Sequence, residues 1–372
     1  MFETKGREDE FKDQYRPLIL SKRFSKDRKQ LESLINDKRV IVQDQLESQL
    51  SEWIRQTNPN EQMTSAVLEK KAEEFFKEKG LKSDDYGNWV FYPWRNTLVS
   101  VLEEEEFVAV RTVRNKYKIT KEEQESLSQK KIGIIGLSVG QSVALSLAME
   151  RCFGELVIAD FDSLDLGNMN RIRTGIFNLA LKKTYIVARE IAEIDPYLKL
   201  TLYNEGINDE NIDDFFTLNG NLDLLVEECD SLPIKIGSRI KAKSLGIPVL
   251  MDTSDRGMID IERFDQDPER PIFHGLLGEF GSEGELVPSL ANRGKEMMMS
   301  LLQYENLSER VKFSFSELGK SITSWPQLAS SVIMGGAICC HYARMILLGQ
   351  KVPSGRYYID LEQIIGSYEG KS

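Results

Sequence analysis

Lys131–Arg171 reads KIGIIGLSVGQSVALSLAMERCFGELVIADFDSLDLGNMNR, and the order of its signals decides the fold. Ile132–Ile135 is a short apolar run closed by Gly136, and Gly140–Met149 carries apolar residues at helical spacing, so the stretch predicts strand, tight turn, helix. Leu156–Ala159 predicts a second strand with Asp160 at its carboxyl end. Such a turn aims backbone N–H groups and the positive end of a helix at an anionic phosphate, while an acid at the next strand end takes ribose hydroxyls. Asp160 follows Gly136 by 24 residues, near the spacing of such units. GLSVGQ departs from G-x-G-x-x-G, because Ser138 and Gln141 stand where the second and third glycines would be. Alone, the motif fits any Gly-containing strand–helix turn.

The flanking residues add chemistry. Asp162, Asn168 and Arg171 follow Asp160 in DFDSLDLGNMNR, and Lys183 lies in the helical segment LKKTYIVAREIAEIDP. Leu222–Val226 predicts a buried strand that ends in EECDS, which puts Asp230 just past its end. In an open parallel sheet these strand ends face one crevice. One acid for ribose, a cationic pair for phosphates and a second acid for a metal ion are what nucleotidyl transfer needs. Taken singly, Arg171 and Lys183 read as solvated charges, Asp230 as a turn or helix cap and Asn168 as a turn residue. Their joint occurrence behind a phosphate turn favours a site.

In these residues the chain resembles the ThiF/MoeB/HesA adenylyltransferases, the family that includes ubiquitin-activating enzymes. The family's D-x-D, N-x-x-R, later Lys and D-x-x-D-[NS] signatures fall on Asp160–Asp162, Asn168–Arg171, Lys183 and Asp230–Ser231, and the resemblance spans roughly residues 111–256. VEECDS, TSDRG and RPIFHGLLG look closest to a bacterial branch whose longer members carry a nitroreductase-like domain; no such domain is expected within these 372 residues. The resemblance implies an α/β fold: a Rossmann-like, ThiF-type nucleotide-binding sheet with helices on both faces, preceded by a mainly helical N-terminal extension. It further implies ATP and Mg²⁺, with Gly136, Ser138 and Gly140 cradling phosphates and Asp160 taking the ribose. Asn168 and Arg171 would hold phosphates, Lys183 would stabilise the transferring phosphate, Asp230 would bind the metal and Asp162 would fix the loop. Arg114, ahead of Arg111, would reach a partner's site across a two-fold axis, making the active species a homodimer; the same pair also reads as basic helix surface. The acceptor would be the C-terminal carboxylate of a ubiquitin-like or sulfur-carrier protein, a peptide, or a small acid. Two rivals remain: an NAD-linked oxidoreductase that uses Asp160 but leaves Arg171, Lys183 and Asp230 without a shared purpose, and a degenerate nucleotide-binding scaffold suggested by GLSVGQ.

Composition narrows the classes. The 372 residues, 41% hydrophobic, suit two domains or one extended one. Three regions are expected: a charged, mainly helical part at 1–125, the ATP-binding α/β domain at 126–270 with strands near 132–135, 156–159, 199–203, 222–226 and 248–251, and a part at 271–372 that completes it. Within the last, GEFGSEGELVP reads as a mobile loop or lid. Leu328–Leu348 is apolar but interrupted by Ser330, Ser331, His341 and Arg344, which fits a buried or dimer-interface helix and not a membrane span. A net charge of −11 disfavours nucleic acid, including tRNA. Cys152, Cys229, Cys339 and Cys340 lack metal-ligand spacing, so no zinc is expected, and few cysteines with no leader-like core in residues 1–30 predict a cytoplasmic protein. His274 and His341 are the only histidines. That shortage suits adenylation, in which the nucleophile is already an anion.

Overall fold

The computed structural model describes residues 13–366. Contacts divide the chain into two units: residues 1–121 with 188–197, and residues 122–187 with 198–372.

The first unit holds β1 (Leu18–Ser21), α1 (Ser25–Asn36), β2 (Ile41–Gln43), α2 (Leu46–Thr57), α3 (Ser65–Lys79), β3 (Asn88–Tyr92), β4 (Thr97–Val101) and α4 (Glu104–Arg111). Its strands form a sheet of order β1-β3-β4-β2. The part at 1–125, expected to be mainly helical, therefore carries a four-stranded sheet as well. The β-branched pair Ile41–Val42 leaves the helix and pairs in parallel with Thr97–Val99. The aromatic GNWVFYPWRN, which periodicity did not place, forms β3; Trp89 and Phe91 pack with Leu20, Leu31 and Leu98. Segment 188–197 is held to this unit by the Tyr92 hydroxyl on the Ala192 carbonyl at 3.1 Å and by Arg111 on Asp195 at 3.1 Å.

The second unit begins at α5 (Lys121–Leu127) and runs through β5 (Lys131–Ile135), α6 (Leu137–Glu150), β6 (Glu155–Ala159), the first five residues of α7 (Lys183–Ile194), β7 (Lys199–Tyr203), α8 (Ile212–Thr217), β8 (Leu224–Glu227), α9 (Leu232–Ser244) and β9 (Val249–Asp252). β10 (Met258–Glu262), α10 (Glu283–Leu302), α11 (Glu309–Glu317), α12 (Ala329–Leu347), β11 (Gly355–Tyr358) and α13 (Leu361–Gly366) follow. The sheet order is β11-β10-β9-β8-β5-β6-β7, parallel from β9 to β7, with β10 and β11 antiparallel. All five expected strands are present. They are legible because a parallel strand covered on both faces reads as a continuous apolar run. Alternation sends Ile134 toward α6 and Ile135 into a core with Phe215, Ile236, Leu286 and Met297 from α8, α9 and α10, so helices cover both faces.

Two further expectations meet the structure here. GEFGSEGELVP is not a loop throughout: α10 starts inside it, and Ser282 and Glu285 form a reciprocal capping box. α12 is long and apolar enough to span a membrane by composition alone, but it packs on α6 and β9. A Cβ on Gly336 would stand 2.5 Å from Ser142, and one on Gly335 would meet the Asp252 carboxylate at 2.0 Å, so both glycines are required by close approach.

Candidate active site

β5 and β8 are neighbours at the point where strand order reverses, since β5 continues through α6 to β6 on its other side. Gly136 lies in the resulting crevice. Its φ is +87°, and a Cβ there would stand 2.7 Å from backbone atoms of Glu228 and Cys229; both facts demand glycine. Because α6 begins at the next residue, the unpaired N–H groups of its first turn point toward the crevice, that of Leu137 being taken by Asp160. The Ser138 hydroxyl is buried there with no hydrogen-bond partner. Gly140 lets the helix lie against Ile134, whose Cγ2 would be 2.8 Å from an added Cβ. Gln141 replaces the third glycine and does something a glycine cannot. Its side chain accepts from the Arg173 N–H at 2.8 Å and donates to the Arg173 carbonyl at 3.0 Å, which anchors the loop that carries Arg171.

Asp160 ends β6. One carboxylate oxygen accepts from the Leu137 N–H at 2.7 Å and the other from the Asp162 N–H at 2.8 Å, leaving each a further lone pair. Burial pushes this carboxyl up, and the Lys183 ammonium and the two N–H groups work against that rise. Lys183 opens α7; it is buried, with its ammonium 2.7 Å from the half-exposed carboxylate of Asp162. The two acids of D-x-D thus divide the work: one braces the turn at Gly136–Leu137 and the other holds a cation beside it. Asn168 accepts from the Asp165 N–H at 3.1 Å within the capping box of the turn at Leu166–Asn168, the turn-residue role weighed above.

Arg171 bonds the Asn170 side chain at 3.0 Å, but its Nε is buried without a partner. Desolvation lowers its pKa, and the negative charge of Asp230 acts in the opposite direction. Asp230 itself is exposed, just past β8. A guanidinium with an unmet donor and an open carboxylate therefore share the mouth of the crevice.

Sequence reasoning missed the groups beneath. Glu227 is fully buried, which alone would raise it, but Lys235 and Arg239 hold it below the usual carboxylate range. Arg239 also bonds Glu262 at 2.6 Å and stacks on Phe273 at 4.2 Å. Glu228 accepts from the Asp252 N–H at 2.9 Å. Burial pushes Asp252 up to about 6, and burial together with the charge of Asp252 pushes Glu228 higher still above its ordinary value. EECDS displayed the acids; their partners, Lys235 and Arg239 on α9 and the Asp252 N–H at the end of β9, lie outside that motif.

Arg111 and Arg114 belong to the first unit. Arg111 is engaged with the wholly buried Asp195, and Arg114 is exposed on the short helix Val113–Asn115. Cys152, Cys339 and Cys340 are buried, and burial with the charge of Glu227 pushes the Cys229 thiol up, so none is presented as a thiolate nucleophile. Glu150, Cys152 and Cys340 bring possible metal-ligand atoms within 4.8 Å of one another, a convergence that spacing did not reveal, and the Arg344 guanidinium already sits on Glu150. His274 is bonded to Asp260 at 2.8 Å, while His341 is exposed and not in the core.

Residues 111–353 match the model of the ThiF family. The uncharacterized protein MT1398 of Mycobacterium tuberculosis (strain CDC 1551 / Oshkosh) is 43% identical over 274 residues, 73% of this chain and 38% of that protein. The chain thus spans less than two fifths of that relative's length. The tRNA threonylcarbamoyladenosine dehydratase of Bacillus subtilis (strain 168) is 21% identical over 60% of this chain and 91% of its own. Among solved structures, E. coli tRNA N6-threonylcarbamoyladenosine dehydratase, TcdA, aligns with a TM-score of 0.47 at 14% identity over 67% of this chain and 98% of that one. The family match covers the whole crevice from Gly136 to Asp230 and continues past β10: this chain belongs to the ThiF family.

Proposed function

We propose that the protein is an ATP-dependent adenylyltransferase that activates a carboxylate. The observation that carries this reading is the pairing of Arg171, with its buried and unmet Nε, and the open Asp230 above a helix N-terminus. Two cations and a row of N–H groups suit a polyanion, and Asp230 suits the Mg²⁺ that would accompany it, which supplies charge neutralisation at the phosphates. Asp160 keeps lone pairs for ribose hydroxyls while bracing Leu137. In the reaction an acceptor carboxylate oxygen bonds to the α-phosphorus, the bond from that phosphorus to the bridging oxygen breaks, and pyrophosphate leaves with the electron pair. No proton moves, so the residues' work is to hold two anions together and offset the developing charge. Lys183, buried beside Asp160, and Arg171 do this.

Relatives of this chain include the ubiquitin-like modifier-activating enzyme 5 of Drosophila willistoni, 29% identical over 25% of this chain, and the tRNA threonylcarbamoyladenosine dehydratase. The charge of −11 weighs against tRNA here. A cytoplasmic homodimer is part of the proposal. The homodimer is supported by Phe161, Leu166, Ile176 and Phe177, apolar side chains left exposed along the segment that bears Arg171 and available for a second copy to cover. The test is equilibrium dialysis with Mg-ATP and with NAD, followed by ATP–pyrophosphate exchange on adding carboxylic acids. Binding of ATP alone, with exchange that Asp230→Ala abolishes, is expected. Binding of NAD and not ATP overturns the reading.

A further inference from the structure

Beside the crevice, the carboxyl edge of the sheet holds a cavity of about 240 Å³. Its lining includes Val139 and Asp230 at the nucleotide side and Arg356 and Tyr358 on β11. From β8 to β11 is three strand spacings, about 14 Å at ~4.8 Å each. The volume is far above the ~10–15 Å³ that a single water needs, room for a small organic molecule. Its walls are apolar and adaptable: Met251, Met298, Leu301, Leu302, Phe315 and Trp325.

The far end is built. The Arg356 side chain is 8% exposed; it bonds Asp260 through Nε and the Leu301 carbonyl through Nη1, and its buried Nη2 has no partner. Burial would raise Asp260, but His274 and Arg356 outweigh it and keep that carboxylate ionised. The Arg356 charge is therefore already answered. What Nη2 lacks is an oxygen acceptor, not a counter-ion. Asp230 and Asp255 also line the cavity against the single cation Lys235 at that end, which sets it against a ligand with a second negative charge.

We propose that this cavity receives the body of the acceptor, and that the acceptor is a small monocarboxylic acid with a compact apolar middle and a neutral oxygen at its far end. Resting on the adenylation reading, its carboxylate lies at the nucleotide side, where Lys235 lines the cavity, and its far oxygen accepts from Arg356 Nη2. A carrier tail ending in two glycines has no side chain to fill the space. A dicarboxylate meets the acids.

The experiment measures binding to the full chain without nucleotide, by ligand-detected NMR and by fluorescence of Trp325, with Trp325→Phe as the optical control. The probes are 3-(4-hydroxyphenyl)propanoate, 3-phenylpropanoate, glutarate and diglycine. The hydroxylated acid should bind about ten- to a hundredfold more tightly than the other three, the range set by one hydrogen bond to a charged donor. Arg356→Lys keeps a cation for Asp260 but removes Nη2, and should reduce the hydroxylated acid to the level of 3-phenylpropanoate. Met298→Trp fills the cavity from a half-buried position and should weaken both aromatic acids. Diglycine or glutarate binding as well as the hydroxylated acid, or undiminished binding in folded Met298→Trp, overturns the proposal. Pyrophosphate exchange is scored separately. Cavity binding without exchange for any acid removes the adenylation reading alone, whereas exchange with a Gly-Gly peptide and no cavity binding removes the cavity proposal alone.

Discussion

Arg239 and Arg171 each hold guanidinium nitrogen out of water, Arg239 entirely and Arg171 at its Nε, and the protein treats them in opposite ways. Arg239 lies under the strand ends, bonded to Glu227 and Glu262 and stacked on Phe273, with no exposure at all. Arg171 lies at the crevice mouth with an unmet Nε and an acid, Asp230, that faces solvent. A buried charge whose hydrogen bonds are met serves the fold. One whose donors are left over costs stability and points to a ligand that would meet them. The same contrast separates the two acids of D-x-D, since Asp160 is tied to backbone N–H groups while Asp162 holds the mobile end of Lys183.

The sharpest way to break this comparison is to remove each arginine in turn. Arg239→Met should cost ~3–5 kcal/mol in urea unfolding, because Glu227 and Glu262 would stay buried without their cation. Arg171→Ala should cost less than ~1 kcal/mol in the same measurement, and equal losses would erase the distinction. Next in size, Arg171→Ala and Lys183→Ala should each lower pyrophosphate exchange by ~10²–10³ while leaving the unfolding transition of Arg171→Ala nearly unmoved. Exchange at the native rate would return Arg171 to the solvated-charge role.

The smallest of the three effects concerns pH. The folded-state value of Asp252, about 6, lies above the ordinary 3.8, so between those values the native protein binds a proton that the unfolded chain releases. Stability from this group is therefore fully present below about pH 4 and falls as pH rises to about 6, by ~3 kcal/mol. Asp252→Asn should flatten that fall. A thermal-stability profile across pH 4–7 that retains its slope in Asp252→Asn would assign the slope elsewhere, with Glu228, shifted in the same direction, the next group to substitute.

What the sequence disclosed follows from the range of the interactions involved. Gly136, Asp160, Lys183 and Asp230 were legible because a βαβ unit sets their spacing locally and each stands at a strand or helix end. MIDIE in β10 was not, because Asp260 and Glu262 look like surface acids until Arg356, His274 and Arg239 arrive from other parts of the chain. GRYY in β11 is four residues long and paired on one side, too short for periodicity to register. The misread GEFGSEGELVP did contain its own correction: Ser282 followed by Glu285 is the S-x-x-E start signal, obscured by three glycines. Gln141 looked like a defect in a glycine motif, and only the Arg173 backbone gives it a purpose.

The glycine pair in α12 has a consequence for how this chain comes to be folded. Gly336 docks on Ser142 of α6, and Gly335 on Asp252 at the end of β9, so one face of the sheet stays open until a segment made close to two hundred residues after α6 has been synthesised. Until then the ribosome-bound chain exposes the apolar side of α6, and α12 itself emerges as a stretch that targeting machinery could read as a membrane segment. Contacts this remote in sequence are slow to form, because loop closure must precede their reward. Productive folding is thus tied to completion of residues 329–347, and a side chain larger than hydrogen at either glycine would be felt first as a loss of soluble yield during synthesis.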